Sequence, residues 1–208
     1  MAKKYDKIWT RTNEHLPSII QGLDVQSTDY IIAVCGSGDQ GLAILERAKR
    51  VLLVDNRPEQ IEFMKTISAC IKKGDYNRFL GARKGSSESY SSDGYWSSLN
   101  YFTPRRFNLL KTKMNNLEIR LGNIIKMARS EKGFNKLYLS NALNHKPLDS
   151  DIPMALKTVS DNTPKNGLVY LADSVIAHAP LWGLVKDEIL TSKITDPYWS
   201  AVVLRKED

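Results

Sequence analysis

Apolar positions along this chain fall into short unbroken runs, separated by stretches where they recur every three or four residues. Tyr30 to Val34 (YIIAV) is a β-prone run ended by glycines, and Gln40 to Arg50 then carries Leu42, Ile44, Leu45 and Ala48 at helical spacing. Arg50 to Asp55 (RVLLVD) shows no alternation, as expected of a strand buried on both faces of a parallel sheet. Pro58 opens a helix with Ile61, Phe63, Met64, Ile67, Ala69 and Ile71 on its inner side. Further strands are predicted at Leu117 to Leu121, Lys136 to Leu139, Leu168 to Ala172 and Tyr198 to Arg205. Helices are predicted around Phe107 to Met114, at Ile124 to Arg129, in the run ending at Thr163, and over Pro180 to Thr191. This alternation predicts an α/β fold: one Rossmann-like domain over 1–208, a doubly wound, mostly parallel sheet with helices on both faces.

One segment breaks the alternation. Gly81 to Asn100 holds seven serines and three glycines, and a loop of that length in a compact domain reads as a lid or an insertion. Its Tyr90, Tyr95 and Trp96 favour a lid that closes over substrate.

Composition sharpens this picture mainly through charge. The net charge is +7, but Cys70 to Lys136 alone has fourteen Lys/Arg against five Asp/Glu, so the remainder sums to −2. That basic segment is a candidate surface for nucleic acid, a phosphate-bearing molecule or a lipid headgroup, or else a solvated face. Cys35 and Cys70 sit in apolar surroundings without metal-ligand spacing, so they read as reduced core residues, and no metal site is expected. No apolar run suits a membrane span or a leader, and the cytoplasm is the expected compartment.

The candidate chemistry sits at the ends of the strands. Gly36, Ser37, Gly38, Asp39 and Gly41 form a glycine turn between the first strand and its helix, where the backbone can approach a ligand closely. Asp55, nineteen residues past Gly36, ends the second strand, the place from which an acid accepts both hydroxyls of a ribose; Asn56 follows it. The spacing also matches a dinucleotide fingerprint, but Asp39 would repel a pyrophosphate at the helix start. S-adenosylmethionine, a sulfonium with an ammonium and a ribose but no phosphate, suits the turn better. Asn123 stands after the third strand, where the adenine amino group is expected. Ser140, Asn141, Asn144 and His145 follow the fourth strand, at the substrate crevice.

The blocks AVCGSGDQGLAIL and VLLVDNRPEQIEFMKTISACIKKGDYNRFLG, with LYLSNALNH further on, resemble the S-adenosylmethionine-dependent 3-amino-3-carboxypropyl transferases of betaine-lipid synthesis, within the class I methyltransferase-like superfamily. Asp55, Pro58, Gln60, Tyr76, Phe79, Leu80 and Gly81 stand in that family's motif places. The turn departs from it, reading Cys-Gly-Ser-Gly-Asp where the family has Ser-Gly-Gly-Cys-Asn. The resemblance implies transfer of the aminocarboxypropyl arm, with release of methylthioadenosine, to a small-molecule or lipid acceptor that the residues do not identify. It also brings Tyr76 and Asn141 forward as catalytic candidates, Asn141 standing among the expected cofactor-binding residues as well. A methyltransferase would expose the sulfonium's methyl instead. Either reaction depends chiefly on positioning. A hydroxyl or amine acceptor also wants a base, for which His145 is best placed, with His178 and Asp173 as rivals. Tyr5, Trp9 and His15 precede the first strand, where they either cover the cofactor or pack on the sheet. A rival from another class is a non-catalytic Rossmann-like module binding RNA or a partner through the basic segment. An NAD-linked oxidoreductase stands third.

Overall fold

The computed structural model describes residues 8–84, 98–144, 152–176, 179–196 and 200–207. Seven strands form one sheet: β1 (Tyr30–Val34), β2 (Arg50–Asp55), β3 (Leu117–Leu121), β4 (Lys136–Ser140), β5 (Leu168–Ala172), β6 (Leu184–Lys186) and β7 (Ala201–Lys206). Their order is β3-β2-β1-β4-β5-β7-β6. The first five run parallel, and β7 is antiparallel to both β5 and β6. The order reverses between β1 and β4, and in an open α/β sheet the crevice at that reversal takes the ligand.

Alternation within each strand explains why both faces need cover. Ile31 and Ala33 of β1 point into one core, packed by α1 (Leu16–Gly22), α2 (Asp39–Leu45), α3 (Pro58–Lys73), α4 (Tyr76–Lys84) and, beyond α5 (Ser98–Tyr101), α6 (Pro104–Lys113). Tyr30 and Ile32 point into the other core, under α7 (Ile124–Ser130) and α8 (Ile152–Asn162). The last helix is α9 (Glu188–Ser192). Val51 to Val54 are fully buried, as an unalternated run requires. No helix among the described residues is long and apolar enough to cross a membrane.

Two expectations change. Pro180 to Thr191, predicted as a helix, instead holds β6 and the short α9. β6 is only three residues long and pairs antiparallel with β7 at the sheet edge, too short to show a strand period in sequence. Of the loop expected from Gly81 to Asn100, Gly81 to Lys84 instead complete α4 and Ser98 to Asn100 belong to α5. Residues 85–97, with Tyr90, Tyr95 and Trp96, lie outside the described residues, as do Tyr5, His145 and His178.

Candidate functional site

The carboxyl ends of β1, β2, β3 and β4 lie along one edge of the sheet, and the glycine turn joins β1 to α2 at that edge. Gly36 and Gly38 both have positive φ, +47° and +82°, which explains glycine at each. Their surroundings differ. A Cβ on Gly38 would stand 2.2 Å from the Met64 sulfur, and one on Gly41 would stand 2.2 Å from a methyl of Leu53. Those two glycines let α2 seat against α3 and β2. Gly36 has nothing within 4 Å of a Cβ position, so it is the glycine with open space for a ligand beside the backbone.

Asp55 closes the turn from the side. Its Oδ2 accepts the Gly36 N–H at 3.1 Å and its Oδ1 accepts the Arg57 N–H at 3.0 Å. Burial pushes its carboxyl above the usual range, and those N–H groups pull it back. Asn56, next to it, is exposed. Ser37 is buried, its hydroxyl 3.4 Å from both the Asp39 N–H and the Gln40 side chain.

Asp39 does not face the crevice. It is fully buried, paired with the Arg83 guanidinium and accepting the Thr12 N–H at 2.9 Å. As a direct cofactor contact it is therefore corrected, and its charge at the α2 start is already matched. Arg83 lies between the rings of Phe79 and Phe102, 4.7 and 4.9 Å from their centroids. Burial, with Arg11 nearby, pulls the guanidinium down to about 9.

Tyr76 is likewise a supporting residue. Its hydroxyl donates to the Phe102 carbonyl at 2.8 Å, and its ring packs on Phe107 and Phe79. α3 leaves the crevice for sixteen residues, about 24 Å of helix, before α4 begins at Tyr76 and returns toward Arg83. Tyr76 thus begins α4 at the far end of α3 from the carboxyl edge, with its hydroxyl already bonded to Phe102. The residues that carry the more specific half of the resemblance, Tyr76, Phe79 and Gln60, all serve packing. Gln60 both donates to and accepts from the backbone of Trp9.

Asn123 caps α7, its Oδ1 accepting the N–H groups of Ile125 and Lys126 at 2.9 and 3.1 Å. The oxygen expected to meet an adenine amino group is therefore already engaged in the helix cap. Asn141 follows Ser140, whose φ of +52° marks strain at the end of β4. Asn144 donates to Ser174, and Asp173 accepts from Ser200.

Sequence reading named Trp9 and His15 in the segment before α1 but neither Thr12 nor Glu14. Trp9 to His15 crosses the carboxyl edge as a strap: Thr12 binds Asp39 and Gln40, and His15 N–H donates to Asp196 at 2.7 Å. Glu14 enters the crevice beside β4, accepting hydrogen bonds from Tyr138 and Ser140. Trp9 itself is half exposed.

The basic segment is less of a surface than its count implies. Arg83, Arg106, Lys113, Arg120 and Lys136 have intramolecular partners in Asp39, Glu46, the Arg47 and Ala48 carbonyls, Glu118 with Glu131, and Asp29.

The rRNA methyltransferase AviRa of Streptomyces viridochromogenes superposes with a TM-score of 0.57 over 92% of this chain and 83% of that one, at 14% identity. The fold is that of the class I methyltransferases. Weaker likenesses include precorrin 8w decarboxylase of Methanobacterium thermoautotrophicum (TM-score 0.43, 13% identity, 75% of this chain). Another is the YcgJ protein of Bacillus subtilis (TM-score 0.46, 16% identity, 76% of this chain). The chain spans less than two thirds of the length of these two, 60% and 50%. No family model matches the sequence, and no curated protein matches it.

Proposed function

We propose that this chain is an S-adenosylmethionine-dependent methyltransferase. The observation that carries the reading is the join of Asp55 to the open side of Gly36 across the ends of β1 and β2. Asp55 would hold the ribose and Asn123 would meet the adenine, leaving the ends of β1 and β4 for the amino-acid arm. The acceptor then approaches from the ends of β4 and β5, where Asn141 stands.

Methyl transfer needs in-line approach of a nucleophile to the sulfonium methyl, and enzyme groups contribute mostly by orientation. S-adenosylmethionine would supply the methyl group and leave as S-adenosylhomocysteine, and an amine or hydroxyl acceptor would give up its proton. His145, just past Asn144, is the candidate for receiving that proton. The rRNA methyltransferase likeness supports this reading at the level of fold.

Aminocarboxypropyl transfer is the second reading. It draws on the resemblance of residues 30–81 and 136–145, and it loses support because Tyr76 and Phe79 pack rather than line the crevice. One experiment tests both. Purified protein is titrated with S-adenosylhomocysteine and with NAD by calorimetry, then incubated with S-adenosylmethionine and cell extract. Binding of S-adenosylhomocysteine, with its accumulation above an enzyme-free control, is expected. Methylthioadenosine accumulation would replace methyl with aminocarboxypropyl transfer. Binding of NAD alone would overturn the cofactor.

A further inference from the structure

Glu14 is buried with its two oxygens unequally treated. Oε1 accepts from Tyr138 Oη at 2.6 Å, Ser140 Oγ at 2.7 Å and Gln40 Nε2 at 3.2 Å. Oε2 is equally buried and has no hydrogen-bond partner among the described residues. All three donors are neutral, and no cation forms an ion pair with Glu14 among the described residues. A buried carboxylate in that condition is costly, because neutral donors orient it without balancing its charge. Burial, and the charge of Asp196, push its carboxyl up.

Its position says what would complete it. Tyr138 and Ser140 belong to β4 and Gln40 to the first turn of α2, so Glu14 spans the gap between β1 and β4 where the strand order reverses. A ligand group arriving there must supply a donor for Oε2 and a positive charge. A carboxylate or phosphate would add like charge, and a hydroxyl would add a bond without charge. An ammonium supplies both. We propose that Glu14 receives the α-ammonium of the cofactor's amino-acid arm, which makes the strap from Trp9 to His15 a wall of the cofactor site. This rests on the reading of the chain as an S-adenosylmethionine-binding transferase.

The strap is built to hold Glu14 in place. The Glu14 N–H donates to Thr12 Oγ1 at 3.0 Å, the same hydroxyl that accepts from Gln40 at 2.7 Å, and Trp9 is fixed at both N–H and carbonyl by Gln60. The carboxylate is thus oriented before any ligand arrives, which lowers the ordering cost of binding.

The test is calorimetry with three probes: S-adenosylhomocysteine, its deamino analogue, and methylthioadenosine, which lacks the whole arm. Glu14→Gln keeps an oxygen for the three donors but removes the charge. It is expected to weaken S-adenosylhomocysteine by about 10- to 100-fold, the range for one charge-assisted hydrogen bond. The other two probes are expected to keep wild-type affinity. An equal loss for all three probes, or no loss for any, overturns the role of Glu14 and leaves the cofactor reading standing. Wild-type protein that binds none of the three overturns the cofactor reading itself. Should the variant unfold, wild-type protein alone decides, since equal affinity for S-adenosylhomocysteine and its deamino analogue overturns the proposal.

Discussion

Asp39 and Glu14 are two buried carboxylates served by the same strap, and the fold treats them in opposite ways. Asp39 has a guanidinium, itself sandwiched by Phe79 and Phe102, and a backbone N–H from Thr12. Glu14 has two hydroxyls and an amide, with one oxygen left over. A buried carboxylate to which the fold supplies a guanidinium is a structural element, whereas an oriented carboxylate with no cation paired to it among the described residues is a half-made contact. Burial alone does not distinguish the two. What distinguishes them is whether the protein supplies the countercharge.

The comparison breaks most visibly at Arg83. Arg83→Met leaves Asp39 buried with only the Thr12 N–H, and the loss of one member of a buried pair costs about 3–5 kcal/mol. Urea unfolding would measure it, and the double variant Asp39→Leu/Arg83→Met should recover most of the loss, since an apolar replacement of both partners is often neutral. A single-variant cost below about 1 kcal/mol would mean the pair is solvated after all. Glu14→Gln, by contrast, should change stability by less than about 1 kcal/mol, because its oxygen still meets the same donors.

Asp55 stands between these extremes, since it is buried and held by two backbone N–H groups, one of them from Gly36, whose Cβ position is open. Asp55→Ala should weaken S-adenosylhomocysteine by about 3 kcal/mol, roughly a hundredfold, through loss of two charge-assisted bonds to ribose hydroxyls. Unlike Glu14→Gln, it should weaken methylthioadenosine as much, because that probe keeps the ribose. Unchanged binding of both would remove Asp55 from the site.

Tyr76→Phe sharpens the structural side. It removes a hydroxyl bonded to the Phe102 carbonyl while keeping the ring between Phe79 and Phe107. The expected cost is about 1 kcal/mol of stability, seen in the same urea titration, with turnover unaltered. A large fall in turnover without loss of stability would return Tyr76 to the catalytic candidates.

These residues also show what sequence can and cannot carry. β2 is legible to the residue because the unbroken apolar run Val51 to Val54, between Arg50 and Asp55, is buried on both faces, so pattern and burial coincide. The glycine turn is legible as a turn, but the division of labour within it is not. Gly38 and Gly41 are set by Met64 and Leu53, which a local pattern does not contain. Arg83 reads in sequence as one more charge of a basic segment, and only the meeting of α4 with α2 makes it a buried partner. Glu14 gives no local signal, because its partners Tyr138 and Ser140 lie more than a hundred residues away. β6 fails for a simpler reason: three residues cannot display a period.

The smallest expected effect concerns protons, and it tests the comparison without ligand. Glu14 is flanked by Tyr138 and Ser140 of β4, by Gln40 of α2 and by the charge of Asp196, and burial raises its carboxyl above its unfolded value. The folded state therefore binds more protons than the unfolded one between those two values. Its stabilising contribution is fully present below the unfolded pKa, near 4.3 for a glutamate, and is lost as pH rises through the folded value. The difference in unfolding free energy between wild type and Glu14→Gln should thus favour wild type most on the acid side and shrink as pH rises toward neutrality. Subtracting the variant removes the parallel contributions of Asp55 and Glu46, whose carboxyls are also raised by burial. Saturating S-adenosylhomocysteine should flatten this dependence, because an ammonium beside Oε2 favours the ionised carboxylate and pulls its pKa back down. A difference that grows with pH in the free protein would mean that Glu14 already has a cation, and the contrast with Asp39 would disappear.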